Sequence, residues 1–178
     1  MEKTRRLALS AVLTAVALGL SYMERFIPLQ WVVPLPGVKL GLANIVTLFA
    51  LYFLGSRQAL VILVLRCALG SMFGGGLTAF FFSVTGGVLA MGIMAWAKKI
   101  PVLSIYGVSI CGAAAHNVGQ IIMAALLMRS VYVGAYLPFL LVVSVGMGTV
   151  TGVAASACFR ALLASGMYPL LRKEKSDG

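Results

Sequence analysis

The chain has 178 residues, of which 61% are hydrophobic and only 10% are charged, and its net charge is +10. A soluble domain carries about 25% charged residues, so this composition excludes a soluble fold and predicts one integral membrane domain over residues 1–178. The basic residues lie in short groups between apolar segments and not on one aromatic-lined face, which excludes a nucleic-acid-binding protein.

Successive apolar segments predict an all-α polytopic membrane protein. Residues 67–97, 100–128 and 130–159 contain no Asp, Glu, Lys or Arg, and each run exceeds the roughly 20 residues that cross hydrocarbon as a helix. The runs are continuously apolar and do not alternate, which favours helices over a β-barrel. We predict six transmembrane helices at about 7–27, 40–54, 58–73, 77–97, 103–128 and 136–163, followed by a basic cytoplasmic tail at 164–178.

The distribution of Lys and Arg predicts the orientation in the membrane. If both termini are cytoplasmic, ten of these residues lie inside and three lie outside, and Arg66 lies within a helix. The positive-inside rule therefore predicts a multi-pass protein of a bacterial-type cell membrane with cytoplasmic termini. The first segment starts like a signal peptide, but small residues of a cleavage site do not follow it, so we expect an uncleaved helix.

Polar and charged side chains within these apolar helices are the candidate ligand-binding residues. An ionisable group in lipid is costly, so it usually faces the bundle interior and marks a binding or transport site. At a rise of about 1.5 Å per residue, the candidates share the middle or outer part of the bilayer. The candidate substrate-binding residues are Glu24, Lys39, Asn44, Arg66, Ser83, His116, Asn117 and Gln120.

Each candidate also has an interpretation that needs no ligand. The charged residues nearest the membrane surface could snorkel or pair with each other. His116, Asn117 and Gln120 could hydrogen-bond to neighbouring helices, and the Ser83 hydroxyl could bond back to its own helix. Arg66 lies mid-helix with no acidic neighbour in the sequence, so a ligand or cavity role is favoured there.

Small residues recur on the first helix in its cytoplasmic half. Ala11, Ala15 and Gly19 are spaced every four residues, and such a stripe lets another helix approach closely. The stripe predicts either ordinary packing inside the bundle or docking of a partner helix. Gly86-Gly87 and Gly146-x-Gly148 predict close helix contacts as well.

Missing motifs argue against catalysis by this chain. No Gly-x-x-x-x-Gly-Lys-Ser/Thr loop is present. Of the four acidic residues, only Glu24 is near the membrane, whereas diphosphate chemistry usually needs several carboxylates to hold Mg²⁺. The isolated cysteines show no metal-ligand spacing. We therefore expect a protein that is not an enzyme, with no metal site and no cofactor.

Several segments resemble one membrane-protein family. Residues 36–48, Pro-Gly-Val-Lys-Leu-Gly-Leu-Ala-Asn-Ile-Val-Thr-Leu, resemble the signature of the Gx transporter family, which is also named heptaprenyl diphosphate synthase component I. Arg66, Phe82-Ser83 with Gly86-Gly87, and His116-Asn117-x-x-Gln120 look like other recurring positions of that family. The resemblance covers nearly the whole chain.

The resemblance implies a fold and a set of partners. The family is similar to the S components of energy-coupling-factor transporters, which are six-helix membrane proteins that bind a vitamin or similar nutrient near the outer face. S components dock on a transmembrane coupling subunit and cytoplasmic ATPases through an Ala-x-x-x-Ala motif, which Ala11 and Ala15 match.

Together, the residues and the resemblance favour an S-component-like substrate-binding protein. Arg66 and Lys39 leave the predicted site basic, so the expected ligand is a small anion, and flavin-type and isoprenoid-phosphate-type compounds both fit that charge. The alternative is a non-catalytic membrane subunit of a heptaprenyl diphosphate synthase, whose chemistry would come from a second subunit. A structural scaffold would leave Arg66 without a purpose.

Overall fold

The computed structural model describes residues 2–26 and 39–164, and within these ranges every regular element is helical. In chain order the elements are α1 (Glu2–Met23), a 3₁₀ turn (Glu24–Phe26), α2 (Asn44–Phe53), α3 (Ser56–Gly70), a π-helical turn (Ser71–Gly75), α4 (Gly76–Ala97), α5 (Ile105–Met128), a second 3₁₀ turn (Val131–Tyr136) and α6 (Leu137–Ala164). The predicted all-α class is confirmed. The predicted tail after Ala164 lies outside the described residues.

Five of the described helices are long and apolar enough to cross a membrane, so the predicted count of six spans is not confirmed. The exception is α2, whose 10 residues extend about 15 Å, against about 30 Å for a hydrocarbon core. The sequence predicted a helix from residue 40, but residues 41–43 form a turn in which Gly41 has a φ of +85°. That left-handed conformation suits glycine and ends any helix that starts earlier.

The short α2 nevertheless returns the chain along the bundle. Leu7 of α1 and Arg57 of α3 line the same groove, as do Ala11 and Val61 one turn further along each helix. Ser21 and Arg66, further along the same two helices, are hydrogen-bonded, so α1 and α3 run in the same direction. Leu42 bonds to Glu24, just after the C-terminal end of α1, whereas α3 begins beside the N-terminal part of α1. The chain must therefore return along the bundle between Leu42 and Ser56, and α2 provides most of that return.

The closest packing in the bundle joins α5 to α4 and to α6. A Cβ atom built on Gly119 of α5 would lie 2.8 Å from the Gly86 Cα atom of α4. A Cβ atom on Gly148 of α6 would lie 2.5 Å from the Ile110 Cα atom of α5. The predicted close contacts at Gly86-Gly87 and Gly148 are confirmed, whereas Gly146 faces open space, so the prediction there is wrong.

We expect Gly119→Ala to destabilise the bundle, because the added methyl group meets the backbone of α4, which cannot move aside. Overpacking of this kind costs about 1–3 kcal/mol. Gly92→Ala in α4 is the matched control, since a Cβ atom there meets nothing within 4 Å and alanine favours a helix by about 1 kcal/mol. Thermal unfolding of the purified protein in detergent measures both. Equal melting temperatures for the two variants would contradict this account of α4–α5 packing.

Candidate ligand-binding site

Lys39 connects the start of α2 to two long helices. Its backbone N–H donates to Gln120 Oε1 of α5 at 3.3 Å, and its Nζ atom donates to Ser83 Oγ of α4 at 3.1 Å. Three of the predicted site residues, which are 37 to 81 positions apart in the sequence, are therefore in direct contact. The Ser83 hydroxyl accepts from another element, so it contributes to the cluster.

His116 and Gln120 form the wall of the site on α5. The nitrogen atoms Nε2 of His116 and Nε2 of Gln120 lie 3.0 Å apart, and both side chains are buried. Gly41 packs against this wall, because a Cβ atom there would lie 3.1 Å from His116 Cδ2 and 2.9 Å from Asn44 Nδ2. A larger residue at position 41 would have to displace the imidazole. Gly41 is therefore a site residue that the sequence reasoning did not single out, although it lies within the family signature.

Arg66 is buried between α1 and α3, with 5% of its surface exposed. Its Nη1 atom donates to Ser21 Oγ of α1 at 3.2 Å. Its Nε and Nη2 atoms have no hydrogen-bond partner among the described residues. Ser21 is a second site residue that the sequence reasoning missed, since a lone serine near the end of an apolar helix carries no distinguishing signal.

Glu24 anchors the turn before α2. Its carboxylate accepts a hydrogen bond from the Leu42 backbone N–H, which ties the end of α1 to the turn before α2. The positive charges of Arg66 and Lys39 both act on the Glu24 carboxylate. The three charged candidates therefore share one electrostatic environment, in which two cations accompany a single carboxylate.

Asn44 lies at the first position of α2, and only 5% of its surface is exposed. Its Nδ2 and Oδ1 atoms both lack a hydrogen-bond partner among the described residues. A buried amide usually satisfies both atoms, so this side chain lacks the partners that its burial calls for. Its neighbour across the Gly41 turn is His116.

Asn117 differs from the other candidates in its contacts. Its Nδ2 atom donates to the Leu140 carbonyl at 2.9 Å and to Ser144 Oγ at 2.8 Å, both on α6. These contacts match the interpretation in which an amide holds two helices together. Its Oδ1 atom is buried and has no partner within the described ranges. Hydrogen bonds thus join Lys39, Ser83, His116 and Gln120. The amide nitrogen of Asn117 turns instead towards α6.

The stripe on α1 is exposed in the isolated chain. Ala11, Ala15 and Gly19 are all exposed, and a Cβ atom on Gly19 would meet nothing within 4 Å. Ala11 also lines a groove of about 260 Å³ between α1 and α3. Packing inside the described bundle therefore does not account for the small residues of the stripe.

Within residues 2–26 and 39–164, no group of three or more His, Cys, Asp or Glu side chains is placed to hold a metal ion. The polar groups gathered around the Gly41 turn are instead amides, an imidazole, a hydroxyl, a single carboxylate and two cations. Charged and hydrogen-bonding groups of this kind are suited to a polar ligand more than to a metal ion.

A helical membrane protein with a buried, basic polar site agrees with the one family relationship that was found. The family model described as heptaprenyl diphosphate synthase component I matches residues 13–158. The match covers most of the chain and includes every binding-site candidate, so the chain belongs to this family, as the sequence resemblance indicated. Comparison with curated proteins gave no match, and comparison with solved structures gave none either.

A double-mutant cycle tests the contact between Asn117 and α6. Asn117→Leu and Ser144→Ala each remove one partner of the hydrogen bond between α5 and α6. We expect the two changes to be non-additive by about 0.5–1.5 kcal/mol, which is the net contribution of one such bond. Urea or thermal unfolding of the two single variants and the double variant gives the coupling. Strict additivity would show that the contact between Asn117 and Ser144 contributes nothing to stability.

Proposed function

We propose that this protein is the membrane-embedded substrate-binding (S) component of an energy-coupling-factor type transporter, and that it binds a small anionic nutrient or cofactor. The observation that carries the proposal is Arg66, a cation that is almost fully buried and has two donor nitrogens without a partner among the described residues. Burying a charge without full hydrogen bonding is expensive. A bound anion would offset that cost and would restore the missing hydrogen bonds.

The surroundings of Arg66 support the same ligand charge. Lys39 adds a second cation and Glu24 the only nearby carboxylate within the described residues, so the site keeps an excess of positive charge. Asn44 adds a donor and an acceptor that both lack a partner among the described residues, and such groups fix the orientation of a bound molecule. Ligand specificity in this proposal comes from these neutral groups, and affinity for an anion comes from the cations.

The proposed transport needs partners, because the chain has no nucleotide-binding loop of its own. We propose that a transmembrane coupling subunit docks on the exposed stripe of α1 and that cytoplasmic ATPases supply the energy. Ala11 and Ala15 lie in the middle of α1, whereas Ser21 and Glu24 lie at or just past its C-terminal end, beside the ligand site. Docking and ligand binding therefore use different parts of one helix.

The second candidate function is a non-catalytic membrane subunit of a heptaprenyl diphosphate synthase, which the family description favours. In that case the basic site would hold the diphosphate of a prenyl chain, and a soluble, aspartate-rich partner would perform the chemistry. The two functions predict different complexes. If the protein is an S component, gentle purification should recover ATPases with it. If it is a synthase subunit, the same purification should recover a soluble synthase subunit.

Arg66→Ala is the first test of the proposed site. We expect native mass spectrometry of the wild-type protein to detect a co-purified anionic small molecule, and we expect the variant to lose it while remaining folded. Arg57→Ala is the matched control, since Arg57 is an exposed cation on the same helix. Retention of the ligand by Arg66→Ala would refute the site. Loss of folding by the variant would indicate instead that Arg66 is structural.

Ala15→Leu tests docking separately from binding. Ala15 is exposed, so the larger side chain fits the isolated protein, but it should prevent the close helix approach that small residues allow. We expect ligand binding to persist while pull-down of the coupling subunit and transport are lost. Ala157→Leu, at an exposed position of α6, is the control and should change neither. An intact complex with Ala15→Leu, or loss of binding and assembly together, would contradict docking on this stripe.

A further inference from the structure

The unpartnered atoms of Arg66 make up one complete edge of its guanidinium group. Nη1 is occupied by the Ser21 hydroxyl, and the atoms left over are Nε and Nη2. The N–H bonds of Nε and Nη2 point in parallel from the same side of the planar group. This two-pronged arrangement matches two oxygens of a single carboxylate or phosphate, so the geometry specifies a kind of anion as well as a charge.

Asn44 adds a second requirement on the ligand. A carboxamide offers one acceptor oxygen and one donor nitrogen side by side, and in Asn44 both are buried and unpartnered among the described residues. The complementary ligand edge carries an adjacent donor and acceptor, as in an amide, a lactam or an imide. A hydrocarbon chain placed there would leave both atoms unsatisfied, which is unfavourable.

Both groups adjoin the turn before α2, Asn44 directly and Arg66 through Glu24. Glu24 accepts from the Leu42 N–H and feels the charge of Arg66, while the adjacent Gly41 packs against Asn44 and His116. Lys39, at the start of this segment, is held against Ser83. A single molecule that pairs with both the guanidinium edge and the carboxamide would therefore bind over this turn.

We propose that the ligand has an oxyanion, held in bidentate fashion by the Nε–Nη2 edge of Arg66, joined to an amide-like edge that pairs with Asn44. This inference rests on the proposed function and narrows its ligand to a polar, heterocycle-like oxyanion. A prenyl diphosphate supplies the oxyanion but has no group that pairs with Asn44. In this proposal the site favours a heterocycle-like oxyanion over a prenyl diphosphate, two ligand types that the net charge of the site does not distinguish.

Ligand comparisons on the wild-type protein test the two requirements without any substitution. Flavin mononucleotide and uridine monophosphate carry both groups, riboflavin and uridine lack the phosphate, and farnesyl diphosphate lacks the amide-like edge. In calorimetric titrations we expect at least one of the two monophosphates to bind about tenfold or more tightly than its phosphate-free partner and than farnesyl diphosphate. We also expect inorganic phosphate or acetate, added as competitors, to displace the bound monophosphate. If neither anion displaces it, the oxyanion requirement is wrong.

Arg66→Lys tests the bidentate geometry, because lysine keeps the charge but lacks the paired donors. We expect it to lower the affinity for the preferred monophosphate about tenfold and to reduce its advantage over the phosphate-free partner, with Arg57→Lys as the unchanged control. Asn44→Leu should lower the affinities for the monophosphate and for its phosphate-free partner by the same factor. Thermal unfolding of each variant establishes that it is folded. If the Arg66→Lys protein does not fold, the ligand comparisons on the wild-type protein still test the inference.

Several outcomes would overturn the inference. Tighter binding of farnesyl diphosphate than of either monophosphate refutes the amide-like edge, and full affinity in a folded Arg66→Lys protein refutes the bidentate contact. Binding of none of these compounds refutes the ligand class. Each of these results leaves the proposed transporter role standing, because that role is tested by the co-purified ligand and by the complex with the coupling subunit.

Discussion

The need to satisfy polar groups inside an apolar bundle governs this structure. The turn at residues 39–44 interrupts regular hydrogen bonding, and it does so among buried side chains. Its backbone groups are satisfied by side chains from other elements: Glu24 accepts from Leu42, and Gln120 accepts from Lys39. Irregular backbone at membrane depth is tolerated where protein surrounds it or where it lines a cavity. The candidate ligand site exists because the chain is irregular at that point.

The bundle combines a tightly packed part with a peripheral helix. Glycine contacts hold α5 against α4 and α6, and this part supplies His116, Gln120 and Ser83. In contrast, α1 has the smallest buried share of the five long helices, yet its end supplies Ser21 and Glu24. A partner that moved α1 would therefore act on Arg66 and on the turn through side chains already in contact with them. That connection offers a physical route by which docking could influence ligand release.

The family name and the site point to related ligand chemistries. A subunit of a prenyl diphosphate synthase and a transporter of phosphorylated nutrients would both need a cationic pocket that accepts an oxyanion. What separates them is the remainder of the ligand, for which the unpartnered carboxamide of Asn44 favours a polar group over a hydrocarbon chain. The choice between these functions therefore depends on one neutral side chain more than on the total charge.

The sequence by itself determined the all-helical membrane class, the approximate positions of the helices and most of the polar cluster. Apolar runs longer than a bilayer leave few alternatives, and an arginine amid such a run is noticeable because lipid penalises it. Only the tertiary structure showed that Asn117 bonds to α6 and that α2 is shorter than a membrane span. It alone also showed that Gly41 packs against His116 and that Ser21 bonds to Arg66. These features depend on contacts between residues that are roughly 20 to 80 positions apart in the sequence. Helical periodicity describes only which residues share a helix face, so it carries no information about such contacts.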